Sequence, residues 1–176
     1  QADYFQLIDQ DLLAWSSLED ALQEFPDTPI LLYAQALLAA QLERMEIMEA
    51  NLIAVLELEP NNTNALNALG YSWADMNKNL DTAARYIDLA LASAPGNAAF
   101  QDSKGWLLYR TGDLDQALFW LQKAYSSMKN DEVAAHLAQV LWDLQRKTEA
   151  RDLLAEVIRD YPGSRYIDLL TDLFDE

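Results

Sequence analysis

No cysteine occurs among the 176 residues, which excludes disulfides, thiolate metal sites and a cysteine nucleophile. Histidine is nearly absent too: His136 stands alone, with no second imidazole or thiol to complete a zinc site. Glycine and proline number five each, too few for a turn-rich β architecture. With 51% hydrophobic residues, many of them Ala and Leu, the chain reads as all-helical. Basic residues are also scarce. Twelve Lys and Arg against 29 Asp and Glu leave a formal net charge of −17, a surface that repels phosphate backbones and anionic headgroups and so excludes nucleic acid as a partner. That charge serves solubility first, and attraction of a basic partner second. No apolar run approaches the roughly 18 residues that span a bilayer, so direct membrane insertion by this chain is not expected. The first residue is Gln1, not Met; this implies a processed form or an excised piece, with any targeting segment upstream.

What is present is a pattern that returns every 33 to 35 residues. Small residues at Ala36, Gly70, Gly105 and Ala138 fall into register, followed by Met48, Ala83, Ala117 and Ala150, then Val55, Ala90, Ala124 and Val157. Pro60, Pro95 and Pro162 close three of the four units. This spacing resembles the tetratricopeptide repeat (TPR), a helix-turn-helix unit of about 34 residues. Small residues are required where paired helices cross closely, so a bulky side chain at Gly70 or Gly105 is expected to damage the stack.

The units are read as 29–62, 63–97, 98–130 and 131–164, preceded by a partial repeat over 1–28 and followed by a capping helix over 165–176. In the first, Thr28 suits an N-cap and Pro29 the first helical position. Helices are expected near 29–42 and 45–58. The second carries one extra residue between Gly70 and Ala83 and turns at Asn77-Lys78-Asn79. The third turns at Thr111-Gly112-Asp113 and the fourth at Gln145-Arg146-Lys147. Upstream, Leu18, Ala21, Phe25 and Pro26 match a second helix, with residues 4–8 as the stub of a first. The absence of Gly and Pro from 1–25 leaves one long helix open as the alternative. Ser164 suits the cap of the last helix. Its Tyr166, Ile167, Leu170 and Phe174 form an apolar face, with Asp168, Asp172 and Asp175 elsewhere.

The repeat resemblance implies an all-α right-handed superhelix whose first helices line a concave groove. Carried onto this sequence, the groove positions hold Tyr33, Asn67, Tyr71, Trp106, Tyr109, Arg110, His136, Gln139 and Trp142. Aromatics interleaved with amides suit a protein or peptide partner, offering contact area and backbone hydrogen bonds; the competing reading packs individual rings against the next repeat. Arg110 is the single strong cation of the set, so a clamp for an acidic carboxyl terminus is not expected.

Two constellations imitate chemistry. Asp75, Asn77 and Asn79 copy the start of a calcium loop, but Leu80 stands where the turn needs Gly and Tyr86 where a bidentate Glu is needed; an ordinary polar turn is the better reading. Asp102, Ser103 and His136 invite a triad, but adjacent helical residues point about 100° apart. No Gly-rich phosphate loop occurs. The chain is expected to be non-catalytic and to need no cofactor or metal.

A closer resemblance rests on specific blocks. These are Leu31-Leu32-Tyr33-Ala34-Gln35-Ala36-Leu37-Leu38; Asn64-Ala65-Leu66-Asn67-Ala68-Leu69-Gly70-Tyr71 with Ala74-Asp75; Asp102-Ser103-Lys104-Gly105-Trp106-Leu107-Leu108-Tyr109-Arg110; and Glu132-Val133-Ala134-Ala135-His136-Leu137 with Val140-Leu141-Trp142. They resemble the C-terminal TPR region of proteobacterial outer-membrane-associated TPR lipoproteins over roughly residues 14–160, departing at Ser72 and Lys104. In pseudomonads such a lipoprotein is the adaptor of a periplasmic carboxyl-terminal processing protease. The resemblance implies a periplasmic scaffold, anchored through an upstream lipid, whose partners are that protease or its substrates. Self-association into a homo-oligomer, and a regulatory domain attached to an enzyme, are the alternatives.

Overall fold

The computed structural model describes the backbone of residues 2–174, and side chains from residue 10 onward except those of residues 169 and 171–173. Asp172 and Asp175, expected on the polar side of the last helix, therefore lie outside the described side chains. Ten helices and no strand occur among the described residues: α1 Ala2–Glu24, α2 Pro29–Gln41, α3 Met45–Leu58, α4 Thr63–Asp75, α5 Leu80–Ser93, α6 Ala98–Arg110, α7 Leu114–Ser127, α8 Asp131–Asp143, α9 Lys147–Asp160 and α10 Arg165–Phe174. The all-helical class expected from composition holds. Residues 4–8 and the helix after them form one continuous α1, as the lack of Gly and Pro permits.

Packing divides the chain into two units, residues 1–69 and 70–176. In the first, α2 packs on α1 and pairs with α3. Trp15 of α1 is buried under the Arg44 guanidinium, 4.2 Å from the ring centre. Buried Gln35 accepts a hydrogen bond from Asn51 Nδ2 at 2.7 Å, a polar tie between α2 and α3. In the second unit α6 pairs with α7 and α8 with α9, while α5 packs on α6, α7 on α8, and α10 on both α8 and α9.

The small residues sit where the pattern requires. Ala36, Ala83, Ala90, Ala117, Ala124, Ala138 and Ala150 are completely buried. A Cβ built on Gly105 would lie 2.5 Å from Leu121 Cγ and 3.2 Å from the Leu121 backbone N; one on Gly70 would meet Ile87 Cγ1 at 2.9 Å and the Ala83 carbonyl at 3.1 Å. These distances fix how closely α6 approaches α7, and the end of α4 approaches α5.

The turns share one device. Glu43, Asn77, Gly112 and Gln145, each the second residue after its helix, have φ of 57°, 54°, 90° and 63°. A left-handed residue reverses the chain in three residues, yet only one of the four is glycine. The extra residue of the second turn adds another left-handed residue, Asn79 at φ 47°. Helix starts are capped unevenly. Asn97 accepts from the Ala99 and Phe100 amides, Asp113 from Gln116 and Asn130 from Val133, whereas Thr28 makes no side-chain capping bond. The Ser164 hydroxyl instead donates to Asp131 Oδ2 at 2.6 Å, tying the start of α10 to that of α8.

Candidate functional site

The second unit buries an unusual amount of polarity. Gln101, Asp102, Ser103 and His136 are each at most 6% exposed, and buried polar groups must find partners to be tolerated. Asp102 on α6 and His136 on α8 find each other. His136 Nδ1 lies 3.0 Å from Asp102 Oδ1 and 3.2 Å from Oδ2. On the other side, His136 Nε2 is 3.4 Å from the Tyr71 hydroxyl, which donates to Glu132 Oε1 at 2.8 Å. Because the tyrosine hydrogen is committed to Glu132, its oxygen offers Nε2 an acceptor, as Asp102 does for Nδ1; the surroundings of both imidazole nitrogens suit the protonated ring. Burial opposes that charge most strongly, but the Asp102 carboxylate, by charge and by hydrogen bond, together with Glu132 and Asp75, raises the His136 pKa above its ordinary value. Burial and the neighbouring carboxylates, Glu132 first, hold the Tyr71 hydroxyl protonated.

Rings build outward from this core. Trp106 stacks on His136 with centroids 4.1 Å apart and an interplanar angle of 19°, and on Tyr109 at 4.9 Å. Its indole N–H donates to Asp75 Oδ1 at 3.1 Å. Arg110 lies 5.8 Å from the Trp106 ring centre and 4.0 Å from Asp75. Tyr109 donates to Asp143 Oδ2 at 2.8 Å, and burial with that bond pushes its pKa up to about 12. The ties Asp102–His136 and Tyr109–Asp143 each join residues 34 apart in sequence, so the two repeats are cross-linked twice with the same offset, one residue beyond the 33-residue register of Gly105 and Ala138.

Over this layer lies a cavity of about 240 Å³. Tyr71 and Asp75 of α4, Trp106 of α6, and Ala135, His136 and Gln139 of α8 line it, and α10 closes one side with Tyr166 and Leu170. Of the nine groove residues expected from sequence, Tyr71, Trp106, His136 and Gln139 meet here. Tyr109 and Arg110 flank Trp106 outside the cavity. Trp142 also lies outside it: its ring stacks on Phe174 of α10 at 4.0 Å and an angle of 3°, with the Lys147 and Arg151 cations 4.4 and 5.0 Å from its centre. Tyr33 and Asn67 belong to the first unit. Tyr33 is half-buried on α2, and Asn67 on α4 has its side-chain oxygen buried without a hydrogen-bond partner.

Asp75 and Glu132 stand at groove-facing positions of the repeat but are not among the contacts the sequence singles out, and Tyr166 and Leu170 read there only as packing. The signals were present but weak. Asp75 was absorbed into the polar turn, and the amphipathic period of α10 does not show which rim of its apolar face borders a cavity. Ser103, the would-be nucleophile, donates to the Ala99 carbonyl at 3.0 Å. Its hydroxyl is committed to its own helix and makes no hydrogen bond to the Asp102–His136 pair.

A tetratricopeptide-repeat family profile matches residues 49–98, and a profile for subunit 3 of the anaphase-promoting complex (cyclosome) matches residues 76–157. A TPR repeat-containing protein of Pseudomonas aeruginosa is 37% identical over 131 residues, 74% of this chain. The chain spans about a fifth of that relative's length, 22%. Among solved structures, a thermophilic TPR protein of Thermus thermophilus superposes with a TM-score of 0.78 at 19% identity, over 97% of this chain and 93% of that one. The Cut9–Hcn1 hetero-tetramer of the anaphase-promoting complex superposes with a TM-score of 0.81 at 14% identity, over 97% of this chain and 34% of that one.

Proposed function

The chain belongs to the tetratricopeptide-repeat proteins, and from that premise we propose that it is a non-catalytic scaffold that binds a partner protein through the face carrying Tyr71, Trp106, Tyr109, Arg110 and Gln139. The observation that carries this reading is the cavity itself. It is a concave site whose aromatic and amide lining comes from four helices, with its titratable groups engaged in holding one another rather than poised for chemistry.

The larger protein is an adaptor in the bacterial periplasm, held at the outer membrane by an upstream lipid and presenting substrates to a carboxyl-terminal processing protease. The sequence blocks given above support this assignment, and the 37% identity to a TPR repeat-containing protein of Pseudomonas aeruginosa supports the repeat architecture it requires. Co-purification from envelope extracts, comparing wild type with a Trp106→Ala, Tyr109→Ala double variant, tests it. Recovery of the protease or its substrates is expected to fall at least about tenfold, the loss of two aromatic interface anchors. Unchanged recovery by a variant that keeps its helical circular dichroism would sink the groove assignment.

Self-association has its own observation in the first unit. Ile30 and Leu37, one face of α2, are 75% and 46% exposed, and Leu13 on α1 is 68% exposed. Sedimentation across a concentration range decides it.

A further inference from the structure

We propose that the cavity bordered by α10 seats one cationic side chain, lysine or arginine, of the bound partner; this rests on the reading of that face as a protein-binding groove. Three of the lining side chains are aromatic: Tyr71, Trp106 and Tyr166. Aromatic faces attract ammonium and guanidinium groups through the ring quadrupole. Among the lining side chains, Asp75 carries the carboxylate. Arg110, 4.0 Å away, balances it only in part, so an incoming cation is attracted and an anion repelled.

The charges around the cavity favour the same occupant. Glu132 and Asp102 stand one hydrogen bond behind the lining, on Tyr71 and His136, and Asp143 accepts from Tyr109. Facing these carboxylates are Arg110, Arg165 and His136. Arg165 lies 5.0 Å from the Tyr166 ring centre and 3.2 Å from its hydroxyl, and His136 is already paired with Asp102. Four carboxylates thus oppose two guanidinium groups and one imidazole, and the field stays negative in either state of His136. The molecule also supplies a precedent. The guanidinium of Arg110 uses the Trp106 ring and the Asp75 carboxylate together, so this pair holds a cation in the protein itself. The volume of about 240 Å³ equals about eight waters at roughly 30 Å³ each, enough for the whole stem and head of either basic side chain.

The test uses side-chain probes and the purified chain. Nα-acetyl-lysine methylamide and Nα-acetyl-arginine methylamide are titrated against their neutral isosteres, the norleucine and citrulline derivatives. The readout is the Trp106 indole N–H resonance, assigned with Trp106→Phe. The cationic probes are expected to bind at least about tenfold more tightly than their isosteres, and Asp75→Asn to remove most of that preference. Equal binding of the isosteres, or an indole resonance that moves with none of the four, overturns the proposal whatever the envelope extracts show. Unchanged partner recovery by the Trp106→Ala, Tyr109→Ala variant overturns the groove reading instead, so the two failures are told apart.

Discussion

On α2 the row Ile30, Tyr33 and Leu37 carries no charge, and two of its members are exposed; on α6 the position matching Tyr33 is Asp102, and the next position in the repeat holds Ser103 on α6 and His136 on α8, all buried. The period is the same in both, and the physics is reversed. Exposed hydrocarbon on α2 contributes little to folding, because it remains wet until something covers it. The polar row is a condition of folding. Its groups have left water, so each needs a partner at a fixed distance, and loss of one partner strands the other. One face is free to vary and to associate, while the other is specific and intolerant of change.

The largest effect expected from breaking this contrast comes from Gly105, which sets the helix approach under the polar row. Gly105→Leu must displace Leu121 and its backbone and is expected to cost more than about 3 kcal/mol; urea unfolding measures it. An unchanged midpoint would mean that α6 and α7 can part without loss.

Next in size is Asp102→Asn, which removes the charged partner of His136 and is expected to cost about 2 kcal/mol near pH 6. The sign follows from the raised pKa of His136. The protonated ring is bound more tightly in the folded state, so its contribution is complete below the unfolded value of about 6.5 and fades as pH rises through the higher folded value. The difference between wild type and Asp102→Asn should therefore be largest below about pH 6.5 and shrink as pH rises above it. A constant difference would show that the pair acts as a neutral hydrogen bond.

The smallest effect is expected on α2. Ile30→Ser with Leu37→Ser should leave stability within about 0.5 kcal/mol while weakening any self-association seen by sedimentation. A large stability loss there would erase the contrast.

Much of the architecture was legible because it is enforced by volume and by turn chemistry. Ala36, Gly70, Gly105 and Ala138 announce close crossings, and Thr111-Gly112-Asp113 is the observed three-residue turn between α6 and α7. The extra residue between Gly70 and Ala83 became a longer turn with two left-handed asparagines. Glu43 and Gln145 were opaque, since neither residue type advertises a left-handed backbone. The site was legible in its rings and not in its wiring. Tyr71, Trp106, His136 and Gln139 were found by position in the repeat. Their links to Asp75, Asp102 and Glu132 depend on which residues face one another one or two repeats apart, information that period alone does not contain. Trp142 shows the reverse, a ring placed by position on the groove but engaged in stacking on Phe174.

The cross-links between residues 34 apart also limit how this array can be rebuilt by gene duplication. If repeat 98–130 were copied behind itself, the copy would place Ser103 where His136 now stands. Asp102 would then face a hydroxyl that bonds its own helix and would keep no cation. Interchangeable repeats have energies that sum from intrinsic and neighbour terms. Here the neighbour term is chemically particular, so each repeat is tied to its address in the array.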